Sequence, residues 1–95
     1  MIRTILHAIE AAQEKQMYVD CQEGALALCD FIENTYGEGT RTVDLLEQYC
    51  VLIFKVNNNE LDYSCLHETM AEIKSSAYEL EPAIDIVFFP YKVGS

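Results

Sequence analysis

Apolar side chains recur along this chain at three- and four-residue steps in four successive stretches, each closed by a short polar interruption. The first carries Ile2, Ile5, Leu6, Ile9, Ala12 and Gln13 along one side and ends at Met17, with Arg3, Glu10 and Glu14 opposite. That spacing predicts an amphipathic helix. Tyr18-Val19-Asp20 reads as a break. Asp20-Cys21-Gln22-Glu23 then fits a capping box, in which the Asp20 side chain accepts from the third backbone N–H of a second helix. Cys21, Ala25, Leu28, Ile32 and Tyr36 form its inner face. Gly37-Glu38-Gly39 closes it, because glycine takes the left-handed turn without steric cost.

The chain restarts at Thr40-Arg41-Thr42, with Asp44 and Glu47 complementing the positive end of the helix dipole. Val43, Leu46, Tyr49, Cys50, Ile53 and Val56 point inward on this third helix. Leu45, Leu52 and Phe54 widen its apolar surface, which predicts the most buried of the four. Asn57-Asn58-Asn59 is a strong turn signal. Asp62 or Ser64 caps a fourth helix with the stripe Leu66, Met70, Ile73, Ala77 and Leu80, stepped like a coiled coil. Glu81-Pro82 stops it, since proline disfavours a helical residue before it. The expected fold is all-α, an antiparallel four-helix bundle over residues 1–81. The two hairpins repeat one plan at an offset of about 40 residues, so tetratricopeptide-like helical hairpins are the alternative. The consensus aromatic and proline positions of such repeats are not present, which ranks a plain bundle higher.

Residues 82–95 change the grammar. Ala83-Ile84-Asp85-Ile86-Val87-Phe88-Phe89-Pro90-Tyr91 is β-branched and aromatic, and suits an extended segment or a strand buried on both faces. Nothing else in the chain reads as a strand, and a lone strand leaves its backbone groups unpaired. Ile84, Ile86, Phe88, Phe89, Tyr91 and Lys92 are therefore the candidate interaction residues. The segment is expected to fold back as a strap, to pair with a second copy in a homodimer, or to open an α/β domain that continues the chain.

With 95 residues, 51% of them hydrophobic and 11% aromatic, the chain holds one globular core. Sixteen acidic against six basic side chains give a net charge of −10. That argues against nucleic acid as a partner, whose phosphates demand Lys and Arg, and against an anionic membrane surface. The N-terminus has no apolar core or cleavage site of a signal peptide, and the apolar runs fall far short of the ~20 residues that span a bilayer. A cytoplasmic location is expected.

Candidate chemistry is sparse. Cys21, Cys29, Cys50 and Cys65 contain no C-x-x-C, and in a reducing compartment they read as small, mostly buried thiols ahead of a disulfide framework or a zinc site. His67-Glu68-Thr69-Met70-Ala71 begins like a zinc-protease helix, but Ala71 stands where the second histidine belongs. His7 has no ligand at metal spacing, and a dyad of Cys50 or Cys65 with a histidine has no local signature. Gly37-Glu38-Gly39-Thr40-Arg41 follows a helix and carries an acid, so a tight turn explains it better than a phosphate site. No calcium loop occurs. Hence no catalytic, cofactor or metal residue is assigned, and the acidic side chains read as solvated helix faces able to dock a basic partner.

Several segments carry a resemblance. Val87-Phe88-Phe89-Pro90-Tyr91-Lys92 resembles the V-F-L-P-Y-K run that opens the transferase domain of CDP-glycerol glycerophosphotransferase-like, teichoic-acid-type proteins of Firmicutes. Cys21-Gln22-Glu23-Gly24-Ala25, Phe31-Ile32-Glu33, Gly37-Glu38-Gly39 and Leu46-Glu47-Gln48-Tyr49-Cys50 look like the helical region that precedes it in that family. The likeness covers nearly the whole chain, through short motifs in matching order. The family continues with a Ser-Met-Trp-Asp-type run, from which this chain departs at Val93-Gly94. The resemblance implies a non-catalytic N-terminal accessory domain of a cell-wall polymer transferase, with the catalytic residues downstream. It places Tyr91 and Lys92 in a first strand-to-helix loop, implies an adjacent transferase domain as partner, and sets the parent protein at the inner face of the membrane. The alternative is a stand-alone acidic adaptor or dimerisation module.

Overall fold

The computed structural model describes residues 1–80. They form four helices: α1 (Ile2–Glu14), α2 (Tyr18–Tyr36), α3 (Arg41–Asn57) and α4 (Cys65–Leu80), with no strand among the described residues. The expected extended segment, the stop at Glu81-Pro82 and the candidate residues Ile84, Ile86, Phe88, Phe89, Tyr91 and Lys92 lie outside the described residues.

Each helix packs on its neighbours in sequence, and α1 also meets α4. That last contact closes the arrangement into a ring, as in an up-and-down bundle and unlike an open stack of hairpins. The inner stripes lie where the periodicity put them. Ile2, Leu6 and Ile9 of α1, Cys21, Ala25, Leu28 and Ile32 of α2, Leu46, Tyr49 and Ile53 of α3, and Leu66, Met70, Ile73 and Ala77 of α4 are all buried. α3 buries seven residues against four or five in each other helix, so it is the most buried of the four, as expected. Its N-terminus is capped as expected: the Thr40 hydroxyl accepts from the Val43 N–H at 3.3 Å.

The helix boundaries differ from expectation at the α1–α2 junction, where α1 ends at Glu14 and not at Met17. α2 begins at Tyr18, so Tyr18-Val19-Asp20 is helical and the Asp20 capping box does not form. The chain turns earlier, at Gln16, whose φ of +59° is left-handed. The Met17 N–H then bonds the Ala12 carbonyl at 2.9 Å, and the Cys21 N–H bonds the Met17 carbonyl at 3.1 Å. The backbone ladder is thus running before Asp20, which sits inside the first turn where its charge still suits the dipole. At the other end, Gly37 and Gly39 take φ of +93° and +83° and stop α2 at Tyr36. Ser64 precedes α4, its hydroxyl donating to the Asp62 carboxylate at 2.5 Å.

Two buried polar contacts pin helices that are distant in sequence. The Tyr49 hydroxyl of α3 donates to the side-chain carbonyl of Gln13 on α1 at 2.6 Å. The Thr42 hydroxyl donates to Ser76 Oγ at 2.9 Å, and Ser76 donates onward to the Ile73 carbonyl at 3.0 Å. Every buried side-chain polar atom among the described residues has a hydrogen-bond partner. The α1–α4 joint is more polar: Lys74 pairs with Glu10, and the Arg3 guanidinium lies 4.8 Å from the centre of the Tyr78 ring.

Candidate functional site

Large apolar side chains are exposed on both α2 and α3. Val19 and Leu26 of α2 are 62% and 58% exposed, and Val51 and Phe54 of α3 are 54% and 58% exposed. Val19 and Leu26 stand two turns apart on one side of α2, with Gln22 between them. Gln22 leans across and donates from its amide to the Cys50 carbonyl of α3 at 3.4 Å. Cys50 is one turn before Phe54. Helical spacing therefore sets Val19 and Leu26 beside Gln22 on α2 and Phe54 beside Cys50 on α3, with Val51 a further step round the outer face of α3. Glu23, Asp30 and Glu47 are exposed on the same two helices, as is Lys55 one turn beyond Val51, while Asp20 lines the side of α2 that faces α1. α2 itself contains no Lys or Arg.

Sequence reasoning missed this face. It assigned Val19 to a break and Phe54 to the core-facing surface, and it passed over Leu26. A signal existed: Phe54 lies one turn beyond Cys50, at the edge of the α3 stripe, and Leu26 lies outside the inner spacing of α2. Cys50, expected inside, is half-buried.

A second feature is an open apolar trough of about 410 Å³ between α1 and α2, lined by Ile5, Ala8, Ala12, Met17 and Gly24 among others. Small side chains make it. A Cβ placed on Gly24 would come 2.7 Å from Ile9 Cγ1, so the two helices approach closely at that level.

The residues weighed for chemistry are scattered. All four cysteines are free thiols, with Cys21 and Cys29 buried and Cys50 and Cys65 half-buried. Burial pushes the Cys29 thiol up to about 11, helped by the neighbouring Cys50, Glu47, Glu33 and Asp30, and it raises Cys21 and Cys50 as well. These are the opposite of activated thiolates. The Cys21 thiol instead donates to the Ile9 carbonyl at 3.8 Å. The ring of His67 meets Tyr63 edge-on, with centroids 5.0 Å apart, and His7 is exposed on α1 beside Arg3 and Lys74. Gly37, Glu38 and Gly39 form an exposed interhelical turn. Among the described residues no group of three metal-binding side chains gathers, and no helix is long and apolar enough to cross a membrane.

No known protein family, curated protein or solved structure matches this chain.

Proposed function

We propose that this chain is a protein-interaction module whose work is docking and positioning. The observation that carries this reading is the set of four large exposed apolar side chains, Val19, Leu26, Val51 and Phe54, on two helices joined by the Gln22–Cys50 bond. Contiguous apolar side chains rimmed by polar ones mark association surfaces. The raised thiols and the dispersed histidines support the same non-catalytic reading.

In its more specific form, the module is the N-terminal accessory domain of a CDP-glycerol glycerophosphotransferase-like, teichoic-acid-type transferase in the cytoplasm. That form is supported by the ordered sequence likeness from Cys21-Gln22-Glu23-Gly24-Ala25 to the Pro90-Tyr91-Lys92 segment. The apolar run at Ile84, Ile86, Phe88 and Phe89 then serves as the opening strand of the transferase fold, with Tyr91 and Lys92 at its end. In the alternative form, a stand-alone adaptor, the same run mediates dimerisation.

Hydroxyl-radical footprinting of Leu26 and Phe54 tests the interaction reading, comparing the purified 95-residue chain with the protein inside its cells. Protection of both side chains only in cells is the expected result; equal oxidation in the two settings overturns it. Sequencing the gene past the codon for Ser95 separates the two forms. A frame continuing into alternating strands and helices supports the accessory domain, and a stop codon supports the adaptor.

A further inference from the structure

We infer that the α2–α3 seam receives an amphipathic helix whose apolar stripe is flanked by Lys and Arg. This rests on the interaction reading above and adds to it the chemistry of the partner. α2 and α3 pack side by side, and exposed apolar side chains are spaced along both: Val19 and Leu26 on α2, Val51 and Phe54 on α3. Val19 and Leu26 lie about 10 Å apart along the axis of α2. A third helix laid along such a pair presents side chains one and two turns apart, which matches that interval.

Charge selects the flanks. α2 carries Glu23, Asp30 and Glu33 with no basic residue, and Glu47 adds an exposed carboxylate from α3, against the single exposed Lys55 near the end of that helix. A basic flank would meet these carboxylates, while an acidic one would be repelled. The same arithmetic disfavours a second copy of this chain as the occupant. Each copy brings a net charge of −10, and a symmetric pairing through the seam sets the two acidic rims against each other. A basic extended peptide is less suited, since both elements are helices whose backbone groups are already bonded within the helix, leaving no edge for strand addition.

The test uses the ¹⁵N-labelled 95-residue chain and three synthetic peptides of about 18 residues, or five helical turns. All three share one leucine stripe at helical spacing, with flanks of Lys, Gln or Glu. The expected result is that the Lys-flanked peptide shifts the amide signals of Val19, Leu26, Val51 and Phe54 saturably. Its affinity should fall about tenfold as salt rises from low to several hundred millimolar, because exposed charges are screened. Leu26→Ser combined with Phe54→Ser should weaken it by about tenfold or more, since both anchors are lost. Both positions are exposed, and the single Leu26→Ser variant together with the wild-type shift map decides the matter should the double variant misfold. Equal binding of the Gln- or Glu-flanked peptide at the seam overturns the basic partner while leaving the interaction reading in place. Silence of the seam signals toward all three peptides overturns this inference, and protection of Leu26 and Phe54 in cells remains a separate readout of the broader one. Seam signals that move with protein concentration would seat a second copy there. Signals that move on deletion of residues 81–95 would seat the chain's own C-terminal segment. Either outcome overturns the basic helix.

Discussion

Tyr49 and Gln13 hold each other inside the bundle: the phenol donates to the amide carbonyl at 2.6 Å, joining α3 to α1, helices that are not sequence neighbours. Tyr49 is fully buried and Gln13 nearly so, which places a polar pair where apolar packing would otherwise run unbroken. Such a pair fixes register between helices, because a slipped arrangement leaves a buried donor or acceptor unpaired. Tyr49→Phe removes the donor and strands the Gln13 carbonyl. A loss of about 1–3 kcal/mol is expected in urea unfolding. The double variant with Gln13→Leu should lose less than the sum of the two single changes, since no orphan remains.

Gly24 is the second point of tight fit. An added methyl would lie 2.7 Å from Ile9 Cγ1, an inner atom of a buried side chain, so Ile9 would have to shift. Alanine would gain up to about 1 kcal/mol of helix propensity. Overpacking of about 1–3 kcal/mol should outweigh it, so Gly24→Ala is expected to lower the melting temperature. Pairing it with Ile9→Ala should relieve the clash, leaving the double variant more stable than the two separate losses predict.

Alkaline conditions should weaken the fold. The Cys29 thiol ionises near 9.0 when unperturbed and is pushed up to about 11 by burial. The folded state therefore holds a proton that the unfolded chain gives up. Stability is at full strength below about pH 9 and is lost as the pH rises toward 11. For this group the slope is at most about 1.4 kcal/mol per pH unit. Cys21, Cys50 and Tyr49 are raised by the same cause and act in the same direction. Urea midpoints measured across that window should fall, and Cys29→Ala should flatten part of the slope.

The hydroxyl relay between α3 and α4 is directional. Thr42 donates to Ser76, and Ser76 donates to the Ile73 carbonyl. Thr42→Val leaves Ser76 with its own acceptor, so a loss below about 1 kcal/mol is expected. Ser76→Ala removes the acceptor of a buried Thr42 hydroxyl and should cost about 1–3 kcal/mol. Equal effects for the two variants in thermal unfolding would contradict this polarity.

Helix count, inner stripes and the glycine turn were legible in the sequence because each rests on local periodicity or on a backbone angle that one residue type favours. Leu66, Met70, Ile73 and Ala77 needed nothing beyond their spacing. The start of α2 was not legible: Asp20 matches a capping residue in type, yet Gln16, with no marked turn preference, takes the left-handed angle that sets the break. The outward face at Val19, Leu26, Val51 and Phe54 escaped for a different reason. An apolar residue at the margin of a stripe faces either the core or water according to how the neighbouring helix is rotated, and one helix's periodicity does not contain that rotation. The pairing of Gln13 with Tyr49 is likewise a tertiary fact. Gln13 fell on the buried stripe by spacing, but its partner lies on another helix.

The ring of helices closes at its most polar joint, where Lys74 reaches Glu10 and Arg3 lies over Tyr78. Tyr78 is two residues before Leu80, at the point where the polypeptide leaves α4. Anything that tugs on the chain beyond that point thus loads this joint first, and charge pairing yields to ionic strength more readily than packed leucine does. Rising ionic strength should accordingly loosen the α1–α4 joint before the apolar packing of α2 on α3.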